Sequence, residues 1–291
     1  MLPMTGSACL LYSASMLQEK SFHEIEHEAW VERAARYDDL FSHVTTQAIG
    51  PILRSLGPMA GKRHLDVACG TGHLVGAAAA RGAHSEGIDF APTMVDVSAV
   101  NYPDSPFLTA DAADLPYEDE TFDAVSCSFG LLHMAEPQRA VNEAYRVLKP
   151  GGRFAFTLWL NNEKAGLLAL VQQALAGFTN AAALPESWTR LRYADEAVNE
   201  RLVKEAGFNR PVFESLSLAW KRADAGAVLD LIQNLSVRTK YVLDSLPVET
   251  RKKVLDRILT AAELQKVNGL LTIPWNALLT CAEKPAVVEV Q

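Results

Sequence analysis

"HLDVACGTGHLVG", His64 to Gly76, reads as a strand that runs into a glycine turn and opens a helix. Such a turn presents backbone N–H groups and the positive end of a helix dipole to an anionic or polar ligand. The dinucleotide fingerprint G-x-G-x-x-G does not fit. From Gly70 the register runs Gly70, Thr71, Gly72, His73, Leu74, Val75, so valine stands where the third glycine should, and Gly76 comes one residue late. A phosphate loop of the form G-x-x-x-x-G-K-[ST] does not fit either, since no lysine stands in the turn. Asp66, four residues before Gly70, is expected at the carboxyl end of the strand beside the ligand. A carboxylate there repels a pyrophosphate and suits a cation. The stretch therefore points to a nucleoside that carries a positive charge and no phosphate.

Beyond the turn, strand and helix signals alternate as in a parallel sheet with crossover helices. "HLDVAC" is strand one, and "GHLVGAAAARG" is a helix stopped by Gly82. "HSEGIDF" is strand two, followed by the helix "PTMVDVSAVNY" with proline in its first turn. "PFLTADA" is strand three and "FDAVSCSFG" strand four. "PQRAVNEAYRVLK" is the next helix, "PGG" a turn, and "RFAFTLWL" strand five. Asp89 ends strand two, seventeen residues beyond Gly72, where an acid accepts hydrogen bonds from both ribose hydroxyls. That geometry serves a nicotinamide dinucleotide and an adenosyl ligand equally. The third strand discriminates: "TADAADLP" sets Asp111 at its carboxyl end, in reach of an adenine amino group, although an acid there also suits a loop or a helix cap.

At these residues the chain resembles a known family, the class I S-adenosylmethionine-dependent methyltransferases, in particular the methyltransferase type 11 group that includes ubiquinone and menaquinone C-methyltransferases. The likeness spans roughly Trp30 to Trp159 and rests on "LDVACGTG", "GIDFAPTMV", "TADAADLPYEDETFDAV" and "EAYRVLKPGGRFAFT", in that order. It implies an α/β, Rossmann-like fold: a seven-stranded, mostly parallel sheet with an antiparallel last strand, N-terminal lid helices and a small helical cap insertion. It also implies the cofactor, S-adenosylmethionine. Asp66 and the backbone from Gly70 to Gly72 would lie near the methionine moiety, with Ala68 and Phe90 alongside. Asp89 would hold the ribose, Met94 the adenine face, and Asp111 with Ala112 the adenine edge. "VERAARYDDLF" resembles the lid helix that closes over the cofactor, with Tyr37 nearest the methyl group; a core tyrosine is the competing reading.

After strand four, "SFGLLHMAEP" carries Ser128, Phe129 and His133 to the carboxyl edge of the sheet, where open α/β sheets bind ligands. His133 is the general-base candidate, because imidazole titrates near neutrality. The alternative is a histidine that only orders the loop or touches the cofactor. Trp159 is a candidate wall of the acceptor pocket or a core aromatic.

Past Leu160 the resemblance thins. "EKAGLLALVQQALAGF" and "DEAVNERLVKEAGF" read as helices, "VFESLSLAW" as a strand and "GLLTIPWNALLTCAEK" as the closing strand. Between the last two, Lys221 to Asn268 is an insertion where a hairpin needs only a few residues. Its helices "AGAVLDLIQNL" and "PVETRKKVLDRILTAAELQK" are expected to form a cap that selects an apolar acceptor, with Trp220 and Tyr241 as aromatic walls; the competing reading is that they only pack on the sheet edge. The resulting organisation is a leader over 1–20 read as disordered, lid helices over 21–58, a cofactor-binding core over 59–160, and a C-terminal part over 161–291 with the cap at 221–268.

Composition bounds the partners. The 291 residues are 49% hydrophobic, and 27 basic against 35 acidic side chains leave a net charge of -8. Dispersed basic residues offer no track for a phosphate backbone, so nucleic acid is not an expected partner. No apolar run approaches the length needed to span a bilayer. The four cysteines lack C-x-x-C spacing and read as thiols of a reducing compartment. "MLPMTGSACLLYSAS" lacks a basic n-region, so the expected location is cytoplasmic. "HEIEH", His23 to His27, satisfies the zinc pattern H-E-x-x-H, but its flanks read as a surface helix with charges crowding one side and no third ligand, so no metal is expected. Function reduces to a small-molecule methyltransferase, an S-adenosylmethionine-binding protein without methyl transfer (a cyclase or non-catalytic subunit), or a nicotinamide oxidoreductase. The sequence sets neither the acceptor nor the oligomeric state, a homodimer being one option.

Overall fold

A computed structural model describes residues 21–160, 166–178, 194–234 and 237–286; the leader at 1–20 lies outside the described residues. Helix α1 (Phe22–Tyr37) opens on a capping box in which Ser21 and Glu24 exchange side-chain and backbone hydrogen bonds. It passes into a π-helical turn at Asp38–Ser42 and, after a short helical stretch, into α2 (Ile49–Leu56). The core then alternates β1 (Arg63–Val67), α3 (His73–Ala79), β2 (His84–Asp89), α4 (Pro92–Asn101), β3 (Phe107–Thr109), β4 (Phe122–Ser128), α5 (Pro137–Val147) and β5 (Leu148–Trp159). Strand order is β3-β2-β1-β4-β5-β9-β6, with β1 to β5 parallel and β9 (Ala277–Glu283) antiparallel to both β5 and β6 (Val212–Leu216). This is the seven-stranded, mostly parallel sheet expected. The central strands carry Leu65, Ile88, Val125 and Phe154, all buried, as a sheet covered on both faces requires.

Two strands expected to be continuous are broken. "VFESLSLAW" divides into β6 and β7 (Ala219–Arg222), and the closing segment divides into β8 (Leu271–Pro274) and β9. β7 and β8 pair with each other in a separate two-stranded sheet. Pro274, at the junction, has no N–H to continue a ladder, and the Trp275 amide turns instead to the Leu218 carbonyl at 2.8 Å. The "PGG" segment, expected as a turn, is taken into β5, with Gly151 at φ 77°.

C-terminal to the core lie α6 (Leu167–Leu175) and α7 (Glu196–Ala206), the latter capped by Asp195 and closed by left-handed Gly207. The insertion is helical and holds three helices where two were expected: α8 (Ala227–Asn234), α9 (Val237–Asp244) and α10 (Val248–Leu264). α8 sets Val228, Leu231 and Ile232 into the core and packs on the Asp38–Ser42 turn, while α10 packs on α6 and α8. Among the described residues no helix is long and apolar enough to cross a membrane.

Candidate active site

The carboxyl ends of β1, β2 and β4 open into a cavity that α1 covers on one side. On the β1 turn, Ala68, Gly70 and Gly72 all have positive φ, at 56°, 54° and 87°. Left-handed backbone at Ala68, and again at Phe129 (φ 58°), is strain held where the chain bends toward the cavity. A side chain at Gly130 would collide with Ala68 and the Cys127 sulfur, so the β1 and β4 turns approach as closely as they do only with glycine there.

The Gly70 and Ala91 amides donate to the two oxygens of Asp89 at 2.9 Å each. Each carboxylate oxygen keeps a further lone pair for a ligand hydroxyl. Burial raises the Asp89 carboxyl above its ordinary value, an effect the Ala91 and Gly70 amides oppose. Phe90, Met94, Asp111 and Ala112 follow along the same wall. Asp111 also caps its own loop, accepting from the Ala113 amide at 2.9 Å. On the opposite side stand Ser128, Phe129, His133 and Trp159, and from the N-terminal segment come Trp30, Tyr37 and Phe41. Phe129 stacks on Trp159 with centroids 3.7 Å apart, and Phe41 meets Trp159 edge-on at 5.8 Å. One cavity is thus lined by both carboxylates and aromatic rings.

Of the predicted residues, three do not line the cavity, and the side chain of a fourth lies outside what the structure describes. Asp66 does not reach the cavity; it lies behind the turn, 1% exposed, accepting from Ser126 Oγ at 2.6 Å. Burial pushes its carboxyl up to about 7. The Ser126 hydroxyl in turn meets His64 Nε2 at 2.9 Å, and His64 Nδ1 meets Ser85 at 2.8 Å, so Asp66 ends a chain of buried polar groups. Gly72 caps α3 and is a packing glycine: a Cβ there would press on Phe107, Ser98 and Tyr102. Trp220 is wholly buried and donates its indole N–H to the Leu40 carbonyl at 2.9 Å, so it fixes the turn after α1 and does not line this cavity. Tyr241 belongs to α9, but its side chain lies outside what the structure describes. None of the described residues of 221–268 lines the cavity; α8 packs on the Asp38–Ser42 turn beside it, and Arg222 meets His43.

The Tyr37 hydroxyl pairs with Thr45 at 3.0 Å, and burial pushes it up to about 12, which keeps it neutral. α1 departs from the exposed charged face expected of it: Glu26 is 2% exposed and binds His133 Nδ1 at 2.9 Å and the Trp30 indole N–H at 3.1 Å. His23 and His27 set their ring edges on Phe90, with centroids 5.7 and 5.4 Å away. Among the described residues no group of three or more His, Cys, Asp or Glu side chains is placed to hold a metal. Glu26, Trp30, Phe41 and Asp38 are the residues sequence reasoning missed. The signal available was the i, i+4 spacing of Glu26 and Trp30 on one helix face.

The chain matches the family model of a methyltransferase domain over residues 65–156. It is 44% identical over 119 residues to the demethylmenaquinone methyltransferase of Clavibacter sepedonicus, covering 40% of this chain and 46% of that one. It is 31% identical over 186 residues to a ubiquinone/menaquinone biosynthesis C-methyltransferase of Roseobacter denitrificans, covering 56% of this chain and 72% of that one. Of the first curated relatives, the match spans under half the length. Among solved structures it resembles phosphoethanolamine N-methyltransferase 2 of Haemonchus contortus in complex with phosphomonomethylethanolamine and S-adenosylhomocysteine. That likeness has a TM-score of 0.56 at 19% identity, over 92% of this chain and 61% of the other, and speaks for the fold.

Proposed function

The chain belongs to the class I S-adenosylmethionine-dependent methyltransferases of the type 11 group, and on that premise we propose that it transfers the methyl group of S-adenosylmethionine to a small, flat, largely apolar acceptor of the hydroquinone type. The single observation that carries the reading is one cavity lined both by the carboxylates Asp89 and Asp111 and by the aromatic rings of Tyr37, Phe41, Phe129 and Trp159. The residues fit the cofactor. Asp89 offers free lone pairs to ribose hydroxyls, Met94 and Ala112 supply apolar surface for adenine, and Asp111 stands at its edge. Gly70 has open space where a Cβ would point, so the backbone itself can line the ligand. Arg139 at the rim is paired with Glu136, which leaves the interior without a phosphate-binding cation.

When bound, the cofactor supplies an electrophilic methyl on a sulfonium with a good thioether leaving group. The task left to the protein is to align acceptor and donor and to exclude water. Tyr37, Phe41, Phe129 and Trp159 offer ring faces and edges that favour a sulfonium and sandwich a planar acceptor. The names of the relatives, which specify quinone methylation, support that acceptor class. Free, buried Cys69 and Cys127 support a reducing, cytoplasmic location.

Calorimetry with S-adenosylhomocysteine, followed by transfer of labelled methyl to reduced 2-prenyl-1,4-naphthohydroquinone, tests the reading. We expect saturable binding and a methylated product. Absence of binding by the folded protein overturns the cofactor assignment; binding without transfer to any hydroquinone overturns the acceptor class.

A further inference from the structure

The Glu26 carboxylate comes from α1 and His133 from the loop after β4, 107 positions apart in sequence, and they meet at 2.9 Å. A carboxylate only 2% exposed is costly to keep unless its bonds matter. The Trp30 indole N–H donates to the same oxygen at 3.1 Å, and the Trp30 ring stands edge-on to the imidazole, with centroids 4.9 Å apart. The imidazole is thus held on two sides. With Glu26 ionised the carboxylate only accepts, and His133 then donates from Nδ1, which leaves Nε2 as the basic nitrogen. His133 lines the cavity, on the same rim as Ser128 and Phe129.

We propose that Glu26 is the positioning residue that makes His133 the proton acceptor for the methyl acceptor, and that α1 delivers this function only when it is seated on the sheet. The inference rests on the methyltransferase reading above. In the step, the X–H bond of the acceptor breaks and its proton goes to Nε2 of His133. The acceptor's electron pair forms the bond to the methyl carbon, and the carbon–sulfur pair stays on sulfur as the neutral thioether. The imidazolium is stabilised by Glu26 until the proton passes to water. The charged groups acting on the pair are Arg33, on the same helix, whose charge acts on Glu26, and Asp89, at the end of β2, whose carboxyl feels His133. A base assembled from α1 and the β4 loop exists only in the seated state, so proton removal is confined to a cavity that α1 has already covered.

The test uses the full chain loaded with S-adenosylhomocysteine and labelled with ¹⁵N in its histidine rings, with His133→Asn to assign the signal. The wild-type ring should carry its proton on Nδ1 with Nε2 bare. Glu26→Gln should shift protons to Nε2, and Glu26→Asp, which keeps a carboxylate, should restore the Nδ1 form at least in part. With 2-prenyl-1,4-naphthohydroquinone as acceptor, Glu26→Gln should lower kcat by about a hundredfold and move the acid limb of the pH–rate profile to lower pH. KM and the S-adenosylhomocysteine Kd should stay within about threefold. An unchanged tautomer in Glu26→Gln, or a loss of kcat matched by an equal loss of cofactor affinity, overturns the proposal. Failure of the wild type to bind S-adenosylhomocysteine is a different result, which overturns the methyltransferase reading itself.

Discussion

The Thr71 hydroxyl donates to Asp38 Oδ1 at 2.6 Å, joining the residue that follows α1 to the turn that follows β1. His73 Nε2 reaches the same oxygen at 3.0 Å, and the Asn101 amide donates to Oδ2 at 3.2 Å. Burial works to raise the Asp38 carboxyl, but the bonds from His73 and Thr71 outweigh it and hold the group below the usual range. One side chain thus seats the roof of the cavity on its floor. Asp38→Ala is expected to loosen S-adenosylhomocysteine binding by about tenfold or more, since bonds to a charged group are each worth about 1.5–3 kcal/mol. Hydrogen exchange should show faster opening over residues 22–42 with the sheet unchanged. Equal protection in wild type and variant would remove the latch.

Asp89 is the acceptor for both the Gly70 and Ala91 amides. Asp89→Ala deprives two backbone donors of their partner and removes the acceptor proposed for the ribose. Calorimetry should show S-adenosylhomocysteine affinity down by about a hundredfold, the equivalent of one lost charge-assisted bond of about 3 kcal/mol. A folded variant with unaltered affinity sinks the ribose assignment.

Asp66 gives a pH prediction with a definite sign. Its carboxyl titrates at about 7 in the folded protein against 3.8 as its ordinary value, because burial penalises the charge. Between those values the folded state binds the extra proton, so this residue's contribution to stability falls as pH rises toward 7, by up to about 1.4 kcal/mol per pH unit. Asp66→Asn removes the dependence. Urea midpoints should show the variant gaining on the wild type between pH 5 and pH 8; a constant gap would mean that the carboxyl is not held neutral.

At Gly76 an added Cβ would overlap the Tyr102 ring, whose hydroxyl is 2.7 Å from His73 Nδ1. Gly76→Ala should cost about 1–3 kcal/mol by overpacking, a penalty that Tyr102→Leu in the same chain should partly relieve. A chemical-denaturation double-mutant cycle measures the coupling. Additive effects would show that the ring is free to move away.

The glycine that sits one residue late in the sequence thus has a place in the fold: it admits the Tyr102 ring against α3, as the third glycine of a dinucleotide site admits its helix. The turn itself was legible in "LDVACGTG" because its determinants are local. Glycines that permit positive φ, a strand that ends at Val67 and a helix that starts at His73 all lie within a few residues. The placement of Asp89 and Asp111 beside the cavity was legible because a parallel sheet brings the ends of successive strands to one edge, whereas Met94 came from the family resemblance. The succession of strands and helices along the core was likewise contained in the alternation of apolar runs, while the order of strands across the sheet was not. Tertiary structure alone decided what crosses between elements. Glu26 looks like a surface charge until the β4 loop brings His133 against it, and Trp220 looks like a pocket wall until the turn after α1 supplies the Leu40 carbonyl to its indole. Asp66 stands off the cavity lining because strand direction, fixed by pairing with Gly87 and Ser126, turns its side chain into the sheet's own polar chain. Period and turn chemistry are properties of neighbours along the chain. The burial of a charge depends on which distant segment arrives beside it, and that is set only when the whole sheet has formed.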